Sequence, residues 1–309
     1  MTVEPPVPSA TDPGPRTALV SVVIPAFNRA ATIAAALHSV QAQTHPDWEA
    51  IVVDDGSRDN TAEVVERHGQ WDARIRLIRH SANRGAQAAR NTGIRHARGS
   101  WIAFLDSDDR WIGDSLQVRL EAAGTRRLTV VHSDGFQRRD DGSIALYGLP
   151  ALDGWIYREL LCRPGPVFQG LLVAREALER IGGLDERIIA LQEWDTAIRL
   201  AEYNEFGFVR LPTFIWDRRG ADTITKDRGR DARGYEHVVR KHAEAILNTA
   251  GPRALLRHYA TMALRYLAAG EKAEAFRCLR ALRRFGREGT VMLRGCVVER
   301  DGAPPAAPV

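Results

Sequence analysis

The sequence predicts an α/β fold, a mostly parallel sheet with helices on both faces, followed by an all-helical C-terminal extension. Three observations predict it. Short apolar runs alternate with segments of helical periodicity from Leu19 to Phe104, polar residues gather where those runs end, and the pattern turns wholly helical from about Asp231. Strands separated by crossovers of this length pair in parallel, and buried parallel strands read as continuous apolar runs, as Ile51 to Val53 do.

In chain order, LVSVVIP from Leu19 reads as the first strand, and AATIAAALHSVQAQ follows with Ile33, Leu37 and Val40 at helical spacing. EAIVVD is a second strand and NTAEVVERH a second helix, with Asn60 and Glu63 placed for a capping box. RIRLIR gives a third strand, GAQAARNTGIRHA a third helix and SWIAFLD a fourth strand. Beyond Trp111 the regularity loosens: LTVVHSD and PVFQGLLVA read as strands, REALERIGG as a helix closed by Gly182 and Gly183, EWDTAIRLAEYN as a helix and FGFVRLP as a short strand. The helices GYEHVVRKHAEAILN, PRALLRHYATMALRYLAAG and EKAEAFRCLRALRRFG complete the chain, the last two as one hairpin of tetratricopeptide type. The expected division is a disordered segment 1–17, an α/β domain 18–230, a helical extension 231–300 and a disordered tail 301–309.

With 309 residues, 44% hydrophobic and 27% charged, the composition is that of an ordinary globular chain, and a formal charge of +4 does not by itself argue for nucleic acid. Cys162, Cys278 and Cys296 are odd in number and form no CxxC pair, so they support neither a disulfide framework nor a zinc site and fit a reducing compartment. The Pro-rich first seventeen residues lack the apolar core of a signal peptide, and no stretch approaches the roughly 20 apolar residues of a membrane span. The expected location is the cytoplasm.

Ligands of open α/β sheets collect at the carboxyl ends of the strands. Those ends read Pro25-Ala26-Phe27-Asn28, Asp54-Asp55-Gly56-Ser57 and Asp106-Ser107-Asp108-Asp109. An Asp-x-Asp segment at a strand end brings two carboxylates to one side, where they repel and one tends to keep its proton. A divalent cation removes that conflict; oxygen ligands suit Mg2+ or Mn2+, which leave positions for phosphate oxygens. Two other readings of the aspartates are a solvated turn capping the next helix and the aspartyl nucleophile of a haloacid-dehalogenase phosphatase. Against the second, that family places Thr or Val soon after the second acid and carries the motif on its first strand, whereas Asp109-Arg110 follows here on the fourth.

VSVVIPAFNRAATIAAALHSVQAQT, DWEAIVVDDGSRDNT, NRGAQAARNTGIRHARGSWIAFLDSDDRW and GGLDERIIALQEWDTAIRL resemble, in order, the blocks of family 2 glycosyltransferases, GT-A fold enzymes that use nucleotide-sugar donors. The resemblance spans roughly residues 19–220. It implies that Pro25, Ala26, Phe27 and Asn28 line a nucleotide pocket with Phe27 stacked on the base. Asp55 would bond the base edge with Asp54 supporting its loop, and Arg84 would face the nucleotide. Arg90 and Asn91 would open a second polar cluster, although either arginine also reads as a surface ion pair. Asp106 and Ser107 would approach the ribose and sugar, and Asp108 would ligate the metal.

An acceptor hydroxyl must lose its proton as it attacks the anomeric carbon. The family supplies the base as the second acid of a Glu-Asp pair opening a helix; here Gln192 and Glu193 stand at those positions, so Glu193 is the candidate base. Asp195 competes, although an acid in a helix's first turn is also favoured by the macrodipole. Arg218 and Arg219 fall where a basic loop closes over the diphosphate, and no histidine stands at the usual metal-supporting place. Trp155, Phe168 and Trp194 are aromatics suited to stacking on an acceptor, with core packing the competing role, above all for Phe168. His132-Ser133-Asp134 does not make a hydrolytic triad, because adjacent residues of one strand cannot meet around it.

The C-terminal helices carry Arg253, Arg257, Arg265, Lys272, Arg277, Arg280, Arg283, Arg284, Arg287 and Arg294 against few acids. That face suits peripheral contact with anionic phospholipid, and equally a plain solvated surface. No aromatic interleaving or binding motif accompanies the charge, so no nucleic-acid partner is expected. The leading reading is a metal-dependent, inverting glycosyltransferase moving a sugar from a nucleotide-sugar donor, taken as a UDP-sugar, to a saccharide or lipid-linked acceptor in cell-surface polysaccharide biosynthesis. The alternatives are a polyprenyl-phosphate sugar synthase and a nucleotide-sugar binding module without catalysis.

Overall fold

The first two strands are buried along their whole length, their apolar residues interrupted only by Ser21, Glu49 and Asp54, of which Ser21 donates to Glu49 (2.6 Å). The computed structural model describes residues 18–218 and 227–288, with side chains to 283. Its elements begin β1 (Val20–Ala26), α1 (Ile33–Gln41), β2 (Trp48–Asp54), α2 (Thr61–Trp71), β3 (Ile75–Arg79), α3 (Ala86–His96), β4 (Trp101–Phe104), β5 (Arg110–Trp111) and α4 (Ser115–Arg126). There follow β6 (Val130–Arg138), β7 (Ile144–Leu146), α5 (Tyr157–Leu160), β8 (Leu172–Ala174), α6 (Arg175–Arg180), α7 (Gln192–Ala201) and β9 (Phe206–Asp217). The remaining helices are α8 (Arg228–Lys241), α9 (Ala243–Ala245), α10 (Pro252–Ala268) and α11 (Lys272–Glu288). The segments 1–17 and 301–309, expected to be disordered, lie outside the described residues.

The sheet runs β3-β2-β1-β4-β8-β6-β9-β5, with β7 paired to β6. β1 to β4 are mutually parallel, as their crossovers require. Beyond β4 the sheet is mixed: β8 runs antiparallel to both β4 and β6, while β6 and β9 are parallel. The register brings the strand ends level, Ala26 against Asp54 and Asp54 against Arg79. Leu105 N donates to Val23 O (3.2 Å), so Asp106 emerges beside the end of β1. Helix α3 lies directly on β1 at Gly93, where a Cβ would come within 2.4 Å of Val23 Cγ1.

Two compact units divide the described chain: residues 18–155, 166–184 and 199–218 form the first, and 156–165, 185–198 and 227–288 the second. The first holds the whole sheet. In the second, α10 packs with α11 and α8. Its Trp194, fully buried, donates Nε1–H to Leu160 O (2.8 Å) and stacks near Tyr235 and His258, so it is a core residue and presents no face to an acceptor. Among the described residues no helix is long and apolar enough to cross a membrane.

Several local expectations are corrected. PVFQGLLVA is not one strand: Phe168–Gly170 form a single 3-10 turn and only Leu172–Ala174 join the sheet, because Gln169 turns inward toward buried carboxylates. The short strand from Phe206 continues to Asp217, passing Pro212 at register shifts opposite Ser133, Asp134 and Phe136, where a proline costs no ladder bond. Asn60 makes no capping bond; Asp59 Oδ1 takes Thr61 N (3.1 Å) instead. Helices α4 and α5 and strands β5 and β7 are elements beyond those expected from the sequence.

In the second unit Glu236 is almost wholly buried, which opposes its ionisation. Hydrogen bonds from Arg277 (2.7 Å), Tyr266 and Arg240 (2.6 Å) override that cost and hold its carboxyl down to about 2. A carboxyl lowered on folding stabilises above its unfolded value and loses that contribution as the pH falls through the folded one. Glu236→Gln is therefore expected to cost about 3 kcal/mol near neutral pH, a difference that fades as the pH falls from 4.5 toward 2, read by chemical denaturation across that range.

Candidate active site

The level ends of β1, β2 and β3 leave a cleft of about 660 Å3 lined by Phe27, Gly56, Ser57, Arg58, Arg79, His80, Ser81, Ala82 and Asn83. Its loops are cross-braced. Asn28 sits at φ 53°, a left-handed conformation that asparagine tolerates, and this turns its backbone N toward Ser57 Oγ (2.8 Å) and its Oδ1 toward Arg58 N (2.9 Å). Asp54 Oδ1 accepts from Ser57 N (3.0 Å), and its other oxygen pairs with Arg79 (3.3 Å). Gly56 must be glycine: its φ is 77°, and a Cβ would lie 2.8 Å from the Ala82 carbonyl carbon.

Asp55 is the tie between β2 and the turn after β3. Its carboxylate accepts from Arg84 N (2.9 Å) and Gly85 N (2.7 Å), and lies 2.7 Å from His80 Nδ1. A carboxylate accepts, so the ring proton belongs on Nδ1, and Nε2 takes the Thr92 hydroxyl (3.0 Å). Of the residues expected to line a nucleotide pocket, Phe27 stands at the cleft with 39% of its surface exposed. Pro25 and Ala26 are buried strand residues, and the Ala26 carbonyl accepts from Asp55 N (2.8 Å). Asn28, Asp54 and Asp55 brace the loops, while the Arg84 side chain is exposed.

At the end of β4, three carboxylates crowd together. Asp106 accepts from Arg90 (2.6 Å) through Oδ1 and from Gln169 Nε2 (2.9 Å) through Oδ2. Gln169 Nε2 also reaches Asp109 Oδ2 (2.6 Å), whose Oδ1 accepts from Asp217 N (2.9 Å). The Arg90 guanidinium is buried with its carbon 4.3 Å above the Phe168 ring, so both residues belong to the support of this cluster. Asn91 instead holds the 184 turn, exchanging bonds with Leu184 N and O (both 2.9 Å). Asp108 lies 3.6 Å from Arg29 and keeps 27% of its side chain exposed. Ser107 is buried between them.

Burial and Asp106 raise the Asp108 carboxyl above the usual range; Arg29 opposes and Asp217 adds to the rise. Asp109 is raised well above it by burial, Asp106 and Asp108. An all-oxygen, like-charged cluster with two part-exposed carboxylates, Asp106 and Asp108, fits a hard divalent cation. Among the described residues no group of three or more His, Cys, Asp or Glu forms a ready cage. A cation held here would draw on one or two carboxylates and on ligand oxygens, the usual habit of Mg2+.

Glu193 lies in the second unit, half-buried in the first turn of α7, just after Leu191, which is held at φ 56°. Asp195 is fully buried in that unit. Burial opposes its charge, but His242 (2.8 Å) and Lys241 (2.7 Å) keep its carboxyl low, so it is a structural anchor. Arg218 is exposed, its guanidinium carbon 5.4 Å from the Trp216 ring, and Arg219 lies outside the described residues. His132, Ser133 and Asp134 face separate partners, Leu152 O, Thr213 Oγ1 and Leu149 N, which disposes of a triad. Trp155 is exposed.

Reasoning from the sequence missed Arg29, His80, Gln169 and Asp217. His80 ends β3 as Asp55 ends β2, so the strand-end rule could have found it. Gln169 carried no such signal, because its segment reads as a strand.

Residues 21–148 match the model of glycosyl transferase family 2. The chain is 44% identical over 103 residues to the putative teichuronic acid biosynthesis glycosyltransferase TuaG of Bacillus subtilis (strain 168), covering 33% of this chain and 41% of that protein. It is 44% identical over 102 residues, 33% of this chain and 40% of the other, to the Escherichia coli UDP-Glc:alpha-D-GlcNAc-diphosphoundecaprenol beta-1,3-glucosyltransferase WfgD. The chain thus spans about two fifths of the length of these curated relatives. Its fold is similar to that of the mannosyltransferase PcManGT from Pyrobaculum calidifontis in complex with GDP-Man and Mn2+, with TM-score 0.62 and 23% identity over 94% of this chain and 82% of that one. The architecture is that of GT-A glycosyltransferases.

Gln169→Leu removes a side-chain donor shared by Asp106 and Asp109 and leaves the buried Asp109 Oδ2 without that bond. The expected loss is about 1–3 kcal/mol of stability, measured by urea denaturation at constant pH.

Proposed function

We propose that this chain, whose residues 21–148 form a glycosyl transferase family 2 domain, moves a sugar with inversion from a nucleotide-sugar donor to a saccharide or lipid-linked acceptor of a cell-surface polysaccharide. The observation that carries the reading is the common level of the β1, β2 and β3 ends, with Asp106 emerging beside β1. It sets an aromatic-mouthed cleft and an acidic cluster along one sheet edge, with Arg29, next to Asn28, reaching Asp108.

In this reading the base rests against Phe27 in the cleft. The Asp55–His80 tie fixes the turn at Arg84 and Gly85 that walls it. The UDP-Glc donor of the relative WfgD supports uridine as the base, whereas PcManGT binds a guanosine donor, and nucleotide titration distinguishes the two. Asp108 holds a divalent cation, and Asp106, fixed by Arg90 and Gln169, presents an oriented carboxylate toward the sugar. When bound, the cation supplies charge neutralisation to the departing diphosphate. Arg218 and Arg219 add positive charge to that leaving group.

Glu193 takes the acceptor proton. Asp195, the competing acid, is fully buried between Lys241 and His242, whereas Glu193 is half-buried, and that exposure supports Glu193 for the role. Glu193→Gln is expected to cut turnover by about 10^2–10^4-fold while leaving donor affinity within a few-fold of the parent. A nucleotide-binding module without catalysis shows no turnover in either protein.

Calorimetric titration with UDP, GDP and dTDP, each with and without Mn2+, tests the donor site. Binding of one nucleotide that requires both Mn2+ and the Asp108 carboxylate, and is lost in Asp108→Ala, is the expected result. Binding indifferent to both sinks the metal–diphosphate reading.

A further inference from the structure

Helices α10 and α11 form a hairpin joined by a three-residue turn, and each keeps a continuous stripe exposed. On α10 the stripe runs Arg253, Arg257, Leu264, Leu267, at spacings of four, seven and three that return to one side of a 3.6-residue helix. On α11 it runs Lys272, Phe276, Leu279, Arg280, Arg283, again within one side. The opposite side of α10 is the buried one, with Leu255, His258, Met262 and Tyr266. Leu264 and Phe276 are 68% and 58% exposed, far more than packing residues of a bundle.

Charge runs with the apolar residues. Between 252 and 283 there are seven basic and two acidic side chains. Both acids are already neutralised: Glu271 accepts from Arg233 (2.6 Å) and Glu274 from Arg277 (2.5 Å). The basic residues of the two stripes, Arg253, Arg257, Lys272, Arg280 and Arg283, are exposed. Large apolar side chains flanked by arginine and lysine match an interface where acyl chains lie under anionic headgroups. A purely solvated face has no use for exposed Leu and Phe, and a partner protein surface would not call for uniformly positive flanks.

We infer that the α10–α11 hairpin is a docking face for an anionic lipid surface, with Leu264, Leu267, Phe276 and Leu279 entering the headgroup layer and the arginines pairing with phosphates. This deepens the lipid-linked-acceptor reading, on which its biological sense rests. The test needs neither donor nor acceptor, so the two fail separately.

The full chain is floated with vesicles of phosphatidylcholine and with vesicles mixed with phosphatidylglycerol. Expected is partitioning on the order of tenfold stronger to the anionic vesicles, weakened by salt. Leu264→Ser with Phe276→Ser, and separately Arg280→Glu with Arg283→Glu, should each abolish that preference while the circular dichroism spectrum and melting temperature of the same proteins stay unchanged, which certifies the fold. Equal binding to neutral vesicles, or none to either, overturns the inference. So does light scattering that shows a dimer dissolved by Leu264→Ser with Phe276→Ser, which assigns the face to a second copy. Vesicle binding that emerges only when residues 289–309 are removed gives the face to that segment and overturns it as well.

Discussion

Three carboxylates at the end of one buried strand are the constraint around which the first unit is arranged. Asp106, Asp108 and Asp109 stand within four residues, and the polypeptide meets their mutual repulsion with groups from distant elements. Arg90 arrives from α3, Gln169 from the turn before β8, Arg29 from the loop after β1 and the Asp217 amide from the end of β9. Two of these donors explain features of the fold. The 3-10 break at Phe168–Gly170 turns Gln169 inward, and β9 runs on past Pro212 until its last amide reaches Asp109. Burying like charges is costly unless they are paired and hydrogen-bonded, so a cluster this well served argues for use beyond stability.

The neighbouring cleft follows another economy. Its walls are irregular loops, which ordinarily move, and here each is tied to the next through a short side chain. Asn28 and Ser57 join the loops after β1 and β2, and Asp55 with His80 joins those after β2 and β3. The polar residues that family resemblance assigns to ligand contact are therefore also the residues that hold the loops in place. A cleft whose shape is set before a ligand arrives loses less ordering entropy on binding.

The second unit is built on buried ion pairs. Asp195 is closed in by Lys241 and His242, and Glu236 by Arg240, Arg277 and Tyr266. Removing either partner of such a pair leaves a buried charge uncompensated. This separates two acids that are two residues apart. Asp195 anchors α7 against the end of α8, and Glu193, on the other side of the same turn, is only half-buried.

The sequence by itself determined the strands β1 to β4, their parallel pairing and the edge on which Phe27, Asp55 and Asp106 gather, because continuous apolar runs and 3.6-residue periodicity are local signals. The helical end of the chain and the Asp195 alternative to Glu193 were legible for the same reason. Local signals stop where function is divided among elements far apart in sequence. That Arg90 serves Asp106 across 16 residues depended on how α3 lies on β1 beside β4, and that Gln169 serves the same acid across 63 and the Asp217 amide Asp109 across 108 depended on how β8, β6 and β9 order beside β4. Likewise a leucine in an amphipathic helix reads as core; only packing decided that Leu264 and Phe276 face outward among arginines. Composition and period place residues on an element, whereas pairing between elements is a long-range property paid for in chain entropy, and it is written in no single stretch of the chain.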